Sequence, residues 1–358
     1  MRVGVLISVA IVLAVQSPAG TAVADSGVKV SADFRYRHET ISVEDEDARN
    51  RHRIRARAAL QADATDWAKF RVRIVTGSVN PTTLMQTLDG GFSDKPLSLD
   101  LAYLDMALPT FRALHILGGK MPYPFKTTPL VWDGDVTPEG LALKFSHSLA
   151  AIEPMVNAGF FWVEERAGDD DSYLIGAQAG AKIRPLDPLH LMVFCGLSQY
   201  SEAKDRAPFF DSNSSKGNSV DSLGNYMYDF TQAEAYAEIG IKAGVIPVTV
   251  FANYVTNTGV DSLNGGLLLG LGLGKASEPN SWQIKYDYRT LERDAVIGAF
   301  TDSDPWTGGT DGENHKVHAV YQLATNTQLG LICFMGTDGL EDNAPTVTKV
   351  RAEVNLRI

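Results

Sequence analysis

Cysteine is scarce in this chain: two in 358 residues, Cys195 and Cys333. Two distant thiols do not make a disulfide framework. Both lie in runs of alternating apolar residues, where each reads as a small apolar side chain rather than half of a bridge or a metal ligand. Beyond the first 24 residues no apolar run approaches the ~20 residues that a spanning helix needs, so a helical inner-membrane protein is excluded. Catalytic patterns are missing as well. There is no nucleophile elbow and no glycine loop shaped to cradle phosphates. The histidines His38, His52, His115, His147, His190, His315 and His318 are scattered, and His315 and His318 lack the cysteine or spaced carboxylate of a zinc site. No serine, histidine and orienting polar residue fall on neighbouring strand faces as a triad would require. The expectation is a protein with no catalytic residues, no metal and no cofactor. Linkers and composition shifts are also absent, so one domain is expected.

The amino terminus carries what the rest of the chain lacks. Arg2 is followed by an apolar run from Val3 to Val15 and by the small-residue site Ala22-Val23-Ala24. This is the pattern of a secretory signal peptide, residues 1–24, with cleavage after Ala24 and a mature chain from Asp25. No cysteine follows the cleavage site, which argues against a lipid-anchored lipoprotein. The formal net charge is −11 for the whole chain, and the leader removes one arginine and no acid. An acidic exported protein is a poor nucleic-acid binder, so no nucleic-acid partner is expected.

From Asp25 onward about sixteen segments alternate polar and apolar residues over about 8–12 positions, the length that crosses a membrane as a tilted strand. In the last one, Ala352, Val354, Leu356 and Ile358 share one face and Arg351, Glu353, Asn355 and Arg357 share the other. In the first, Val28, Val30, Ala32, Phe34 and Tyr36 oppose Lys29, Ser31, Asp33, Arg35 and Arg37. Leu267, Leu269, Leu271 and Leu273 alternate with Gly270, Gly272 and Gly274, which places those glycines on the inner face. Short connections at Ala64–Asp66, Leu108–Arg112, Ser148–Ala150, Arg184–Leu189, Ala243–Ile246, Lys275–Ser281 and Ala324–Thr327 alternate with longer ones. The long ones are Gly77–Pro96, Met121–Pro138, Glu164–Ser172, Ser201–Asp229, Leu291–Asn314 and Thr337–Thr346, with Thr256–Asn264 a shorter loop on the same side and the acidic loop Glu44–Asp47 after the first strand. That asymmetry predicts an all-β, transmembrane antiparallel up-and-down barrel of about sixteen strands spanning 25–358, with short periplasmic turns and long extracellular loops. A soluble sandwich also alternates, but a chain of this length would need two with a linker. Loop 201–229, rich in Asn, Ser, Gly and Asp, is expected to be mobile and outside the cell. The acidic stretches Glu44–Asp47, Glu164–Asp171, Asp302–Asp311 and Asp338–Asp342 lack calcium-loop spacing and are expected to be solvated or to meet lipopolysaccharide through divalent ions.

Three stretches carry a resemblance. They are Asp33-Phe-Arg-Tyr-Arg37 with the Arg51–Arg57 alternation; Leu99–Leu104, Gly118-Gly-Lys120 and Trp132–Gly140; and Tyr288–Asp304 continuing to Gly308-Gly-Thr-Asp311. Together with the strand rhythm they resemble the bacterial "putative porin" family of outer-membrane barrels over most of the mature chain. The resemblance implies an outer-membrane location and passive diffusion of small hydrophilic solutes. It also implies dealings with outer-membrane lipid, lipopolysaccharide and the barrel-assembly machinery, and a homotrimer by analogy of size. Ile358 departs from the aromatic residue on which such strands often end.

The inner-face charges cluster. Arg35 and Arg37, then Arg51, Arg53, Arg55 and Arg57, then Lys69, Arg71 and Arg73 occupy three consecutive strands, and Lys349, Arg351 and Arg357 lie on the last. Barrel closure makes these one basic wall that favours anions. The alternative is that the arginines only pair with acids inside the barrel. Opposite charge is available from Asp133, Asp135 and Glu139, at the loop after the fifth strand, which would set a transverse field if it folded inward. Two other functions compete with a diffusion pore: a substrate-specific anion channel, for instance for phosphate, and a non-conducting structural or adhesive surface barrel.

Overall fold

The computed structural model describes residues 27–77, 79–243 and 246–358, so the leader and its cleavage after Ala24 lie outside the described residues. The strands are β1 (Val28–Val43), β2 (Arg49–Asp63), β3 (Ala68–Thr76), the two-residue β4 (Gln86–Thr87), β5 (Leu97–Leu108) and β6 (Phe111–Lys120). They continue with β7 (Glu139–Ser146), β8 (Ile152–Glu164), β9 (Ser172–Leu186), β10 (Leu189–Tyr200), β11 (Phe230–Ala243) and β12 (Ile246–Asn257). The last are β13 (Gly265–Gly274), β14 (Trp282–Leu291), β15 (Gly312–Ala324), β16 (Thr327–Asp338) and β17 (Thr346–Arg357). Apart from β4, these sixteen form a closed antiparallel barrel.

Each long strand pairs with the next, and β17 returns to β1 in a register from Asp33↔Arg357 to Val43↔Val347. Ile358 completes that seam, exchanging backbone hydrogen bonds with Ala32 at 2.8 and 3.1 Å. Closure joins the first strand to the last, so the sheet presents no free terminal strand to lipid. The short β3 pairs with only the lower part of β2, from Arg57 to Asp63. Above it, β4 satisfies the β2 backbone at Arg53 and Ile54.

Alternation becomes sidedness. Val30 is 75% exposed and Leu197 62%, whereas Arg351 is 2% exposed and Glu39 fully buried. An ordinary soluble core would reverse that order. Apolar side chains face outward over a belt, and outward Trp67, Trp162, Trp282 and Tyr321 lie toward its ends, as interfacial aromatics do. Most connections alternate between short and long, with 275–281 as long as its neighbour 258–264, and the longest run from 77 to 96, 121 to 138, 201 to 229 and 292 to 311.

The inner layer is made by the long connections themselves. One apolar cluster joins Met121, Trp132 and Val136 of loop 121–138 to Phe161, Leu174, Tyr200 and Phe230 of the wall and to Ile297 and Ala299 of loop 292–311. A second joins Leu130 and Val131 to Val255, Leu268 and Leu291 of the wall and to Ala295, Val296 and Trp306. Two expectations are corrected here. Loop 201–229 is tied down: Phe209 and Tyr226 are buried, and Asn218 Nδ2 donates to the carbonyls of Arg293 and Val296 at 2.8 Å each. Its polar composition hid two aromatic anchors. The stretch Asp302–Asp311 is not a solvated loop: Asp302 pairs with Arg289, Asp304 with Arg351 and Asp311 with Arg293.

Candidate functional site: the lumen constriction

The seat of loop 121–138 is a row of inward positions running around the barrel. Register places Tyr103 beside Gly119, Gly119 beside Gly140, and Gly140 beside Phe161. Phe161, Leu174, Tyr200 and Phe230 follow at or next to partnered positions on β8 to β11. Gly119 has φ +121°, and a Cβ on it would collide with the carbonyl of Ala102. The paired Gly140 likewise leaves no room for one against Phe160. At those two positions the chains approach too closely for any side chain, and the loop's own ring Phe125 lies over the bare Gly176 and Gly159 further along the wall. Tyr123 stacks on Trp132 at 3.9 Å, and Trp132 meets Phe300 at 5.7 Å. Burying each such ring stabilises the inward fold by roughly 1.5–3 kcal/mol.

Polar bonds fix how far the loop reaches. Lys126 exchanges backbone bonds with the Gln178 side chain at 2.8 and 2.6 Å. Thr127 donates to Glu234 at 3.0 Å, and Thr128 bonds Asn253. Starting between β6 and β7, the loop therefore crosses the lumen to β9, β11 and β12. Loop 292–311 meets it there: Asp133 N donates to Phe300 O at 2.8 Å, and Thr301 Oγ1 donates to Leu130 O at 3.0 Å. Loop 77–96 joins from a third side, where Leu84 N donates to Asp135 at 3.2 Å and Ser303 Oγ donates to Thr82 O at 3.0 Å. Three loops thus share the barrel interior.

The basic side faces them. Arg35, Arg37, Arg51, Arg53, Arg55, Arg57, Arg71, Arg73 and Arg351 stand on the inner face of four adjacent strands. They are woven into acids. Glu353 pairs with Arg37 at 2.5 Å and Arg35 at 3.6 Å. Asp33 pairs with Arg57 at 2.8 Å and Arg55 at 3.2 Å. Glu39 holds both Arg51 and Arg351, and Asp100 holds Arg73. Among the described residues Arg53 has no acid within pairing distance and donates instead to Thr83 and to Met85 O. Among the described residues Arg71 makes no hydrogen bond or ion pair, and its Nε is buried. Lys349 donates to the backbone of Asp304 at 3.0 Å. Arg357 is exposed at the turn end, apart from the cluster.

The acidic candidates separate. Asp135 meets the wall, 3.7 Å from Arg55. Asp133 does not; it accepts from Ser303 N at 3.2 Å and Asp135 N at 2.8 Å and joins two loops. Burial, with Asp302 and Asp135 nearby, pushes its carboxyl up to about 9. Glu139 opens β7 and pairs with Lys120 at 2.9 Å, outside the loop crossing. The carboxylate that faces the wall most directly is Asp304, 2.7 Å from Arg351. Burial alone would raise it, but Arg351 and Arg37 outweigh burial and hold it well below the usual range. Loop 292–311, with Asp302 and Asp304, was missed by sequence reasoning. Its signal was the run Ala295-Val-Ile-Gly-Ala-Phe300, which a solvated loop has no reason to carry.

A closed sixteen-stranded barrel, apolar outside, with charged walls and inward loops, is an outer-membrane channel of the porin type. The sequence matches the family described as "Putative porin" over residues 19–232 and 220–358, and the chain belongs to it. No curated protein matches the sequence. Solved barrels share the fold. OprB of Pseudomonas putida, at high pH, superposes with a TM-score of 0.65 at 11% identity, covering 93% of this chain and 95% of its own. OmpF of Salmonella typhi, in complex with daunomycin, gives 0.56 at 8% identity, covering 94% and 99%. The trimer form of OmpT, an outer-membrane protein of Vibrio cholerae, gives 0.51 at 12% identity, covering 92% and 99%.

Proposed function

We propose that this porin passes small hydrophilic solutes by diffusion and that its lumen prefers anions. The observation that carries the preference is an imbalance at the wall. Arg35, Arg37, Arg51, Arg53, Arg55, Arg57, Arg71, Arg73, Lys349 and Arg351 face Asp33, Glu39, Asp100, Asp135, Asp304 and Glu353. Ten cations against six carboxylates leave net positive charge on that side of the lumen, although the whole chain is acidic. The loops keep greasy solutes out, because the wall they face is hydrogen-bonded and charged. Reversal potentials in a potassium chloride gradient across planar bilayers test the reading. Anion preference supports it, and a cation-preferring or non-conducting barrel rejects it. The long loops then face outside, the turns face the periplasm, and the leader is cut after Ala24. The shared fold with a trimer-forming barrel supports a homotrimer, which crosslinking in native membranes tests.

A further inference from the structure

Behind the inward loop, on its turn side, the barrel wall holds a recess of about 340 Å³ that the loop roofs with Thr128 and Pro129. Its floor is the glycine strand. In register, Phe251 stands beside Gly270 and Thr249 beside Gly272, with Asp287 and Lys285 on the other side of those two glycines. The Phe251 ring occupies the space over Gly270. Over Gly272 the space is open: a Cβ there would lie 3.8 Å from Thr249 Cβ and 3.9 Å from Lys285 Cγ.

The recess has more donors than the protein uses. Among the described residues neither Lys285 nor Lys316 makes a hydrogen bond or ion pair, and Lys316 Nζ lies over the Phe334 ring at 5.3 Å. Arg289 is 1% exposed and spends Nη2 on Asp302 at 2.9 Å, while its Nε and Nη1 are buried without partners. Such donors cost free energy unless a ligand or water meets them. One acceptor is also spare: Oδ1 of Asp287, opposite Lys316 on the neighbouring strand. Glu238 is already engaged by Tyr236 and His190.

We propose that this recess is a subsite for small hydroxylated carboxylates: acids with a short carbon chain bearing hydroxyl groups. The ligand carboxylate takes the guanidinium and ammonium donors, a hydroxyl donates to Asp287, and the carbon chain lies against Phe251. An inorganic oxyanion is too small, since the volume is roughly ten times the ~30 Å³ of a water molecule, and a dianion would be repelled by Asp287. A neutral polyol would leave the Arg289 donors without charge-matched acceptors. The assignment rests on the anion-preferring reading and adds the class of solute.

Sodium gluconate tests it against acetate and glucose in single-channel recordings of the full-length barrel. Gluconate is expected to interrupt the current in a saturable way at concentrations at least tenfold below those at which acetate or glucose acts. Gly272→Leu fills the open floor position and should raise the gluconate concentration for half-block at least tenfold. Lys285→Gln with Lys316→Gln should do the same, and serves if the leucine variant does not fold. A wild-type barrel that prefers anions yet treats gluconate and acetate alike, or responds best to glucose, overturns the subsite alone. Unaltered block in the folded variants also overturns it. A cation-preferring wild type overturns the reading beneath it.

Discussion

At the scale of single residues, the medium on each side of the wall sets the cost of a substitution. Val354 is the midpoint of the outward apolar positions Val350, Ala352, Val354, Leu356 and Ile358 on the last strand. A charge at the lipid midplane costs about 2–4 kcal/mol and much less near an interface. Val354→Arg should therefore lower barrel stability by about that amount in urea refolding titrations with lipid vesicles. Wild-type stability in that variant would mean the strand faces are assigned the wrong way round. One residue inward the logic inverts. Glu39 is fully buried between Arg51 and Arg351. Removing one partner of a buried ion cluster strands the others, which costs about 3–5 kcal/mol. Glu39→Ala should approach that loss in the same titration, and a double variant with Arg51→Ala should lose less than the two separate changes together, because the stranded charge is gone.

At the scale of elements, the inward loops are held by apolar packing and by carboxyls whose titrations run in opposite directions. Asp133 would ionise near its ordinary value of 3.8 if the loops separated, but keeps its proton up to about 9 while they are packed. Between those values the packed state binds the extra proton, so the Asp133 contribution to packing is greatest below pH 4 and declines progressively as pH rises toward 9. Asp304 has the opposite sign: its carboxyl is depressed, so its support is present above the ordinary value and fades only as pH falls below it. Asp294 of the same loop is raised, by burial against the Ser219 bonds that lower it, and adds to the Asp133 trend. From pH 5 to 8 the Asp133 slope should therefore govern segment 130–136. Hydrogen exchange there, corrected for intrinsic chemistry, should be slower at pH 5 than at pH 8, and Asp133→Asn should remove most of the difference. Equal protection at both pH values in the wild type would show that Asp133 is ionised in place.

At the scale of the whole molecule, the barrel was legible because lipid imposes one rule on every strand, and a rule of period two survives reading without coordinates. The partners were not legible. Glu353 meets Arg37 across 316 positions of sequence, and which acid reaches which arginine depends on the closing register and on three loops. Sequence reading gave the wall and left open whether its arginines were only paired. Most are paired, Arg53 and Arg71 meet no acid among the described residues, and the cations are in excess, which makes a sharp prediction. Changing Arg53, Arg55, Arg71 and Arg73 together to Gln removes four of the ten wall cations and leaves six against the six carboxylates Asp33, Glu39, Asp100, Asp135, Asp304 and Glu353. A balanced wall has no net field to favour either sign, so the reversal potential should collapse toward the unselective value rather than merely diminish. Arg357→Gln, exposed at the turn end, should move it little. Neutralising Glu44 to Asp47 should also move it little, because charges in a solvated loop are screened within ~8–10 Å at physiological salt. If the four-arginine variant keeps the wild-type reversal potential, selectivity is set elsewhere in the lumen, and Lys285 and Lys316 behind the inward loop become the next cations to neutralise.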